Sequence, residues 1–479
     1  MSIFRGTTGP DTIQGSLSAD SIFGNAGDDV LGTNNVRFFP DSIDGGAGAD
    51  TIIGTLSDDL LIGGVGSDVF FLFAGGADTV FGTAPGATFT GTDIDLVSYF
   101  SQGRAEFGVA ASLRNPATNT GAAEGDVYVG INGLRGTEGN DTLTGHNNIA
   151  SILFGDEGDD RLLGGGGADT LNGGVGNDSL MGGGGIDQLF GNAGNDTLRG
   201  GDNGDSLDGS GGNDLLSGEN GDDVLIGGLA DAGNDTLIGG AGNDTGDGGA
   251  GDDSLDGGAG ADSLVGGTGN DTLVGGTGND LDILRGGAGD DRLMVMSAGS
   301  NSTGDQLFGE DGTDKLFGSA GADTLDGGAG TDSLFGGAGN DSLLGGDGND
   351  RLEGNAGLDR LLGGAGNDTL TGGAGGDTLR GEAGNDVFVF GAATDSFGTT
   401  LANLDIICAF IIDQDKVDLT AFAGKSFADL SFTNKVAGGL FSGAWTEVTL
   451  DLGANDLVFG INRPQSAAFT LDAGDFLFT

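Results

Sequence analysis

The feature that most restricts this chain is a period. An aspartate followed by a small or polar residue and then an aliphatic one returns every nine residues, as in "GGAGNDTLT" at 363–371. The longest early run is Asp160, Asp169, Asp178, Asp187, Asp196, Asp205, Asp214 and Asp223. A three-residue insertion within 227–232 moves the register to Asp235, and the period resumes through Asp244, Asp253, Asp262, Asp271 and Asp280. Two more slips bracket Asp291. The run then continues as Asp305, Asp314, Asp323, Asp332, Asp341, Asp350, Asp359, Asp368, Asp377, Asp386 and Asp395. Asp141 precedes all of these, and a shorter array of Asp11, Asp20, Asp29, Asp41, Asp50, Asp59 and Asp68 opens the chain. Self-similarity at a short fixed period is the mark of a solenoid, in which each unit covers its neighbour's apolar face.

Within each unit the residue types have separate tasks. Glycines at the first, second and fourth positions are expected to take positive φ and bring backbone close to a bound ion. Loop carbonyls and the sixth-position carboxylate make the all-oxygen shell that calcium prefers. The last three residues form a short strand whose middle side chain points inward. Two units then complete one coil, with two parallel sheets face to face over Leu, Ile, Val and Phe.

Composition agrees. The 479 residues carry 73 acidic and 17 basic side chains, a net charge of −56, and 64 of the acids are Asp. Such a chain repels nucleic acid and anionic membranes, so neither is an expected partner. One cysteine excludes a disulfide framework, and one histidine excludes most histidine-based catalysis and zinc sites. The 34 aspartates of the pattern lead to an expectation of roughly 28 calcium ions, nearly one per repeat, which would cancel the charge.

The pattern GGxGxDxUx, with U apolar, resembles the repeat of RTX proteins. That resemblance implies an all-β fold: a right-handed parallel β-roll solenoid of nine-residue repeats, with calcium between consecutive turns on both sides. It also implies that the sixth-position aspartates named above are the ligands. Two repeats depart from it. "GHNNIASILF" at 145–154 lacks the Asp, and "GGDNGDSLD" at 200–208 shifts a glycine, which weakens the case for calcium at both.

The expected organisation is an N-terminal roll at 1–84, a β-structured insert or connector at 85–135, a main roll at 136–395 and a C-terminal β cap at 396–479. The insert alternates apolar and polar residues, as in "DIDLVSYFSQGRAEFGVAASL", which predicts antiparallel strands. Tyr99 and Tyr128 read as strand residues with satisfied hydroxyls, His146 as a loop residue and Cys408 as core. Twelve of the 28 Phe lie in 388–478, enough for an ordinary core. This segment resembles the one that closes the roll in serralysin-type and epimerase-type RTX proteins. Its end, Asp475-Phe476-Leu477-Phe478, resembles the type I secretion signal of the serralysin group, with Thr479 as an addition.

These readings predict a secreted, extracellular or cell-surface protein that leaves through a type I exporter unfolded and folds on calcium outside. The first residues show no cleaved leader, and no apolar run is long enough to span a bilayer. The repeat starts at Gly6 and leaves no room ahead of it for a protease, lipase or epimerase domain, so no enzymatic activity is expected. The leading expectation is a calcium-stiffened structural protein that self-associates into a layer, matrix or filament. Its rival is an adhesin or an ice- or polysaccharide-binding rod with a surface polysaccharide as partner. The threonines after the ligand aspartates, Thr170, Thr197, Thr236, Thr272, Thr369 and Thr378, are too scattered to make a regular ladder.

Overall fold

The computed structural model describes residues 2–16, 18–32, 39–73, 75–85, 93–100, 108–228, 233–296, 303–391, 405–408, 414–421, 430–436, 444–450, 457–462 and 475–477. It divides into two compact units, Met1–Gly239 and Gly240–Thr479. Among the described residues regular structure is all β, apart from two short 3-10 turns, Pro116–Thr118 and Gly121–Ala123. Apart from an antiparallel meander near the end of the second unit, strands in both units run parallel and form a β-solenoid, as the period predicts.

The second unit shows the plain case. Successive strands alternate between two walls, so Ser342–Asp347, Arg360–Ala365 and Thr378–Ala383 stack on one wall. Ser333–Ala338, Arg351–Gly357 and Thr369–Gly375 stack on the other. Partners lie 18 residues apart: Leu343 pairs with Leu361 and Leu361 with Leu379, while Leu334 pairs with Leu352 and Leu352 with Leu370. Nine residues therefore make half a coil. Period-two alternation turns the middle residue of each strand inward, and these leucines are at most 1% exposed. Burying each contributes on the order of 2 kcal/mol.

Leucine also governs the slips. Leu264 pairs with Leu284 and Leu284 with Leu307, although they stand 20 and 23 residues apart. Extra residues go into the loops because the apolar residue must stay inside. That overturns one expected site. Counting by nines selects Asp280, but the strand Ile283–Ala288 places Asp282 at the loop end, buried, while Asp280 is exposed.

The cap of the second unit begins with Asp405–Cys408 on one wall and Lys416–Asp418 on the other. Leu430–Val436, Ala444–Leu450 and Leu457–Asn462 then form an antiparallel meander. Its last strand pairs parallel with Asp405–Cys408. Phe476–Leu477 pairs with Lys416–Asp418 as a final rung, with Asp475 and Phe476 buried. Such a meander covers a solenoid edge that would otherwise be open to further pairing. Cys408 is half-buried at its strand's end rather than a core residue.

In the first unit the insert corrects the expectation of antiparallel strands. Leu96–Phe100 pairs parallel with both Val69–Phe73 and Gly133–Arg135, and Val127–Val129 pairs parallel with Thr79–Phe81. The insert thus supplies ordinary turns of the solenoid. It also changes one wall. A six-stranded sheet from Ser2–Arg5 ends at Val127–Val129, and a new sheet starts at Ala110–Ser112 against Thr142–Thr144. The alternation of a parallel solenoid strand with one face inward is the same as that of an antiparallel strand, so pattern alone does not separate them. Tyr99 and Tyr128 are buried here with their hydroxyls hydrogen-bonded to each other, and Tyr99 donates to Asp126 Oδ2 at 2.9 Å.

Candidate metal centre

The end of each loop fixes a carboxylate from two directions. The backbone N–H of Asp160 donates to Asp178 Oδ1, and that of Asp178 to Asp196 Oδ1, both at 2.7 Å. On the facing ladder Asp169 donates to Asp187 at 2.7 Å and Asp187 to Asp205 at 2.8 Å. The second unit repeats this at 2.9 Å from Asp332 to Asp350 and from Asp341 to Asp359. Each aspartate carbonyl also accepts from the strand of the following turn, as Thr197 N–H to Asp178 at 2.8 Å. One oxygen of every such carboxylate is therefore committed to the backbone.

The other oxygen is not. In Asp160, Asp169, Asp178, Asp187, Asp196 and Asp205, and again in Asp332, Asp341, Asp350 and Asp359, Oδ2 is buried without a hydrogen-bond partner. A buried polar atom left so costs about 1–3 kcal/mol, more when charged. Its surroundings are other oxygens. A Cβ added to Gly155 would lie 2.1 Å from Asp160 Oδ2 and 2.5 Å from the carbonyl oxygen of Gly173, one turn on. At Gly345 the corresponding distances to Asp350 Oδ2 and the Gly363 carbonyl are both 2.5 Å. Carboxylate and carbonyl oxygens converge on a spot that lacks any donor. That is a cation's environment, and hard-oxygen donors match calcium.

The three glycines have different reasons. Those at the second and fourth positions have positive φ, as Gly174 at 119° and Gly176 at 142°. The first-position glycine does not, which corrects the expectation; there any Cβ would strike the aspartate of its own loop. Asparagine and charged residues replace the second glycine at Asn192, Glu310 and Asn355 while keeping φ near 75°.

Burial and like charge act on these acids. Burial first, then neighbouring aspartates, push the carboxyls of Asp160, Asp205, Asp291, Asp332 and Asp359 from the ordinary 3.8 up to about 7. Backbone hydrogen bonds oppose the rise without cancelling it. A bound metal ion would supply the missing counter-charge.

The expected ligands other than Asp280 and Asp395 stand at loop ends before strands. All of those are buried except Asp11, which is half-buried. Asp395 lies outside the described residues. The rung above Asp377 is Asp405, whose Oδ1 accepts at 2.9 Å, and Asp386 donates to Asp415 at 3.1 Å. Asp78, near the end of the first roll, and Asp95 and Asp126, within the insert, continue the ladders off the nine-residue spacing; Asp78 donates to Asp126 at 2.8 Å. The tertiary register finds Asp95 and Asp126, whereas Asp78 stands in "GGADTVFG" at 75–82, the pattern of the repeats one residue out of step with Asp68. Asn132 takes the next place after Asp95, and Ser151 stands in the repeat that lacks Asp. In the shifted repeat Asp205 keeps its rung, with Asn203 at φ 77° in the fourth position. His146 Nε2 contacts the Ile131 carbonyl at 2.7 Å. Among the described residues no three His, Cys, Asp or Glu side chains gather as a metal cluster, so most donors at each site would be backbone carbonyls.

Each side of this parallel solenoid thus stacks one carboxylate per full coil. A family model described as the RTX calcium-binding nonapeptide repeat matches residues 3–34, 39–70 and 130–148 and, in overlapping copies, 150–295 and 300–397. The chain belongs to that family. Among solved structures it is similar to the AlgE6R2 subunit of the Azotobacter vinelandii mannuronan C5-epimerase, at 29% identity over 27% of this chain and 88% of that one, with a TM-score of 0.20. The AlgE6R3 subunit of the same enzyme is 31% identical over 31% of this chain and 78% of that one, with a TM-score of 0.15. A comparison with curated proteins returned no match. No helix among the described residues is long and apolar enough to cross a membrane.

Proposed function

We propose that this is a secreted structural protein whose sixth-position aspartates ligate calcium, which folds on calcium outside the cell and assembles into a layer, matrix or filament. The observation that carries the reading is the buried, unpartnered Oδ2 facing backbone carbonyls on successive turns. Extracellular-type sites have dissociation constants around 10⁻⁴–10⁻³ M, so they stay empty in a cytosol and fill outside. No catalytic role is proposed for any residue. The assembly is tested by light scattering and electron microscopy in millimolar calcium, with higher-order species expected. A chain that stays monomeric at high concentration sinks the assembly.

One observation favours a second reading, a polysaccharide-binding rod. In a chain with 17 basic residues, Arg292 and Arg351 lie over Phe317 and Phe335 at 4.9 and 6.0 Å, and those two rings stack at 5.0 Å. This aromatic strip on one wall of the second unit offers faces for stacking against sugar rings, and Arg351 is also ion-paired with Glu353. Under this reading the monomer would be the working form.

Export through a type I system is proposed from the C-terminal motif. Deleting 396–479 is expected to abolish export and to slow folding, since the motif and the closing strands go together. Normal secretion of the shortened chain by a type I exporter would refute this.

A further inference from the structure

The nine-residue loops fall into two classes that no repeat consensus separates. In loops such as 155–160, 191–196, 345–350 and 354–359 the second residue has positive φ: Asp156 at 78°, Asn192 at 77°, Gly346 at 110° and Asn355 at 72°. The Oδ2 of the aspartate that closes each of them, Asp160, Asp196, Asp350 and Asp359, is buried without a partner. These are open loops.

Among the described residues five loops behave otherwise. Their second residues are Thr7, Ser16, Thr55, Thr137 and Ser319, and none of these has positive φ. The backbone N–H of each turns toward the closing aspartate and donates to Oδ2 of Asp11, Asp20, Asp59, Asp141 and Asp323. In the first four the hydroxyl donates to the same carboxylate at 2.9–3.1 Å. The local pattern is that of a serine or threonine turn. The carboxylate that an open loop leaves for a cation is here answered from within the chain.

The repeat without Asp is the extreme case. His146 N–H donates to Ser151 Oγ at 2.9 Å in the same closed arrangement. Ser151 brings no charge, and a cation is built in instead. Arg114 donates from Nε to the Gly145 carbonyl at 2.8 Å and from Nη2 to the Gly164 carbonyl at 2.9 Å. These are first-position carbonyls of consecutive turns, the same atoms that face Oδ2 in open loops. A guanidinium stands where the other turns offer a place to a metal.

We infer that, in loops where the aspartate follows four residues after the second position, the residue at that position decides whether the loop takes calcium; the longer loop from Gly82 to Asp95 stays open although its second residue is Thr83. Glycine or a residue that accepts positive φ leaves the loop open. Serine or threonine with negative φ closes it, and at Ser151 Arg114 completes the closure. Ser210 marks the boundary of the rule: it holds φ 68° and spends its hydroxyl on Asp208, so conformation and not residue name is the determinant. The consequence is a calcium complement smaller than one ion per repeat, with closed loops at Asp11, Asp20, Asp59, Asp141 and Asp323. These turns are held together by the chain alone.

The inference rests on the calcium reading above, and two exchanges in the full chain test it. Ser319→Asn restores a residue that tolerates positive φ, and Asn192→Thr places a β-branched residue that resists it. Native mass spectrometry in saturating calcium is expected to show one ion more for S319N and one ion fewer for N192T, with unchanged circular dichroism. A gain of an ion has no explanation in misfolding, so S319N carries the test if N192T is poorly folded. A wild-type chain that fills its open loops while S319N gains nothing overturns this inference alone. A wild-type chain that binds no calcium overturns the calcium reading and this inference with it.

Discussion

In calcium-free buffer at pH 8 the purified chain is expected to lose most of its β circular dichroism and to recover it steeply as calcium is added. Folding without the ion buries carboxylates whose second oxygen faces carbonyls. The leucine core opposes that cost, but the chain has 107 glycines, each of which gives up much backbone freedom on ordering. An ion bound only by the folded state adds roughly 1 kcal/mol per site at a few times its dissociation constant. Repeated over many rungs, that modest term decides the equilibrium and makes the transition steep. Magnesium should substitute poorly, because it demands tighter octahedral geometry and sheds water reluctantly. A β spectrum that survives chelation unchanged would sink this account.

Acid should do part of calcium's work. The carboxyls of Asp160, Asp205, Asp291, Asp332 and Asp359 sit at about 7 in the folded chain, raised by burial and then by like charges, against an ordinary 3.8. The folded state thus holds protons more tightly than the unfolded one. Their contribution to stability is complete below about pH 4 and is lost as pH rises through about 7. Calcium-free protein moved from pH 8 toward pH 5 is therefore expected to gain β structure, opposite to the usual acid denaturation. Calcium affinity should fall over the same range, since ion and proton compete for the same oxygens. Circular dichroism followed against pH, with and without calcium, checks both. A calcium-free signal that stays flat from pH 8 to pH 4 would show that the buried carboxylates do not govern folding.

Much of this molecule is legible in the order of its residues. Leu334, Leu352 and Leu370 must lie inside because they alone recur at the apolar position, and their aspartates must close the loops. Asp282 shows where counting stops and packing begins: two extra residues shift the acid, but the leucine that follows keeps its place. The insert shows a second limit. Asp95 and Asp126 are separated by loops of irregular length, so only the parallel pairing of Leu96–Phe100 and Val127–Val129 brings them onto the ladders.

The sequence by itself determined the period, the inward leucines, the acidic loop ends and the family, because a short repeat imposes the same local geometry at every copy. Tertiary structure decided what one copy cannot express. It joined each carboxylate to the N–H one turn away, it replaced one wall of the first unit within the insert, and it carried Arg114 to the carbonyls of Gly145 and Gly164. Those are contacts between distant residues, and their positions depend on loop lengths and on φ at single residues. A nine-residue pattern holds neither, so the pattern names the oxygens while the fold decides which of them are left for an ion.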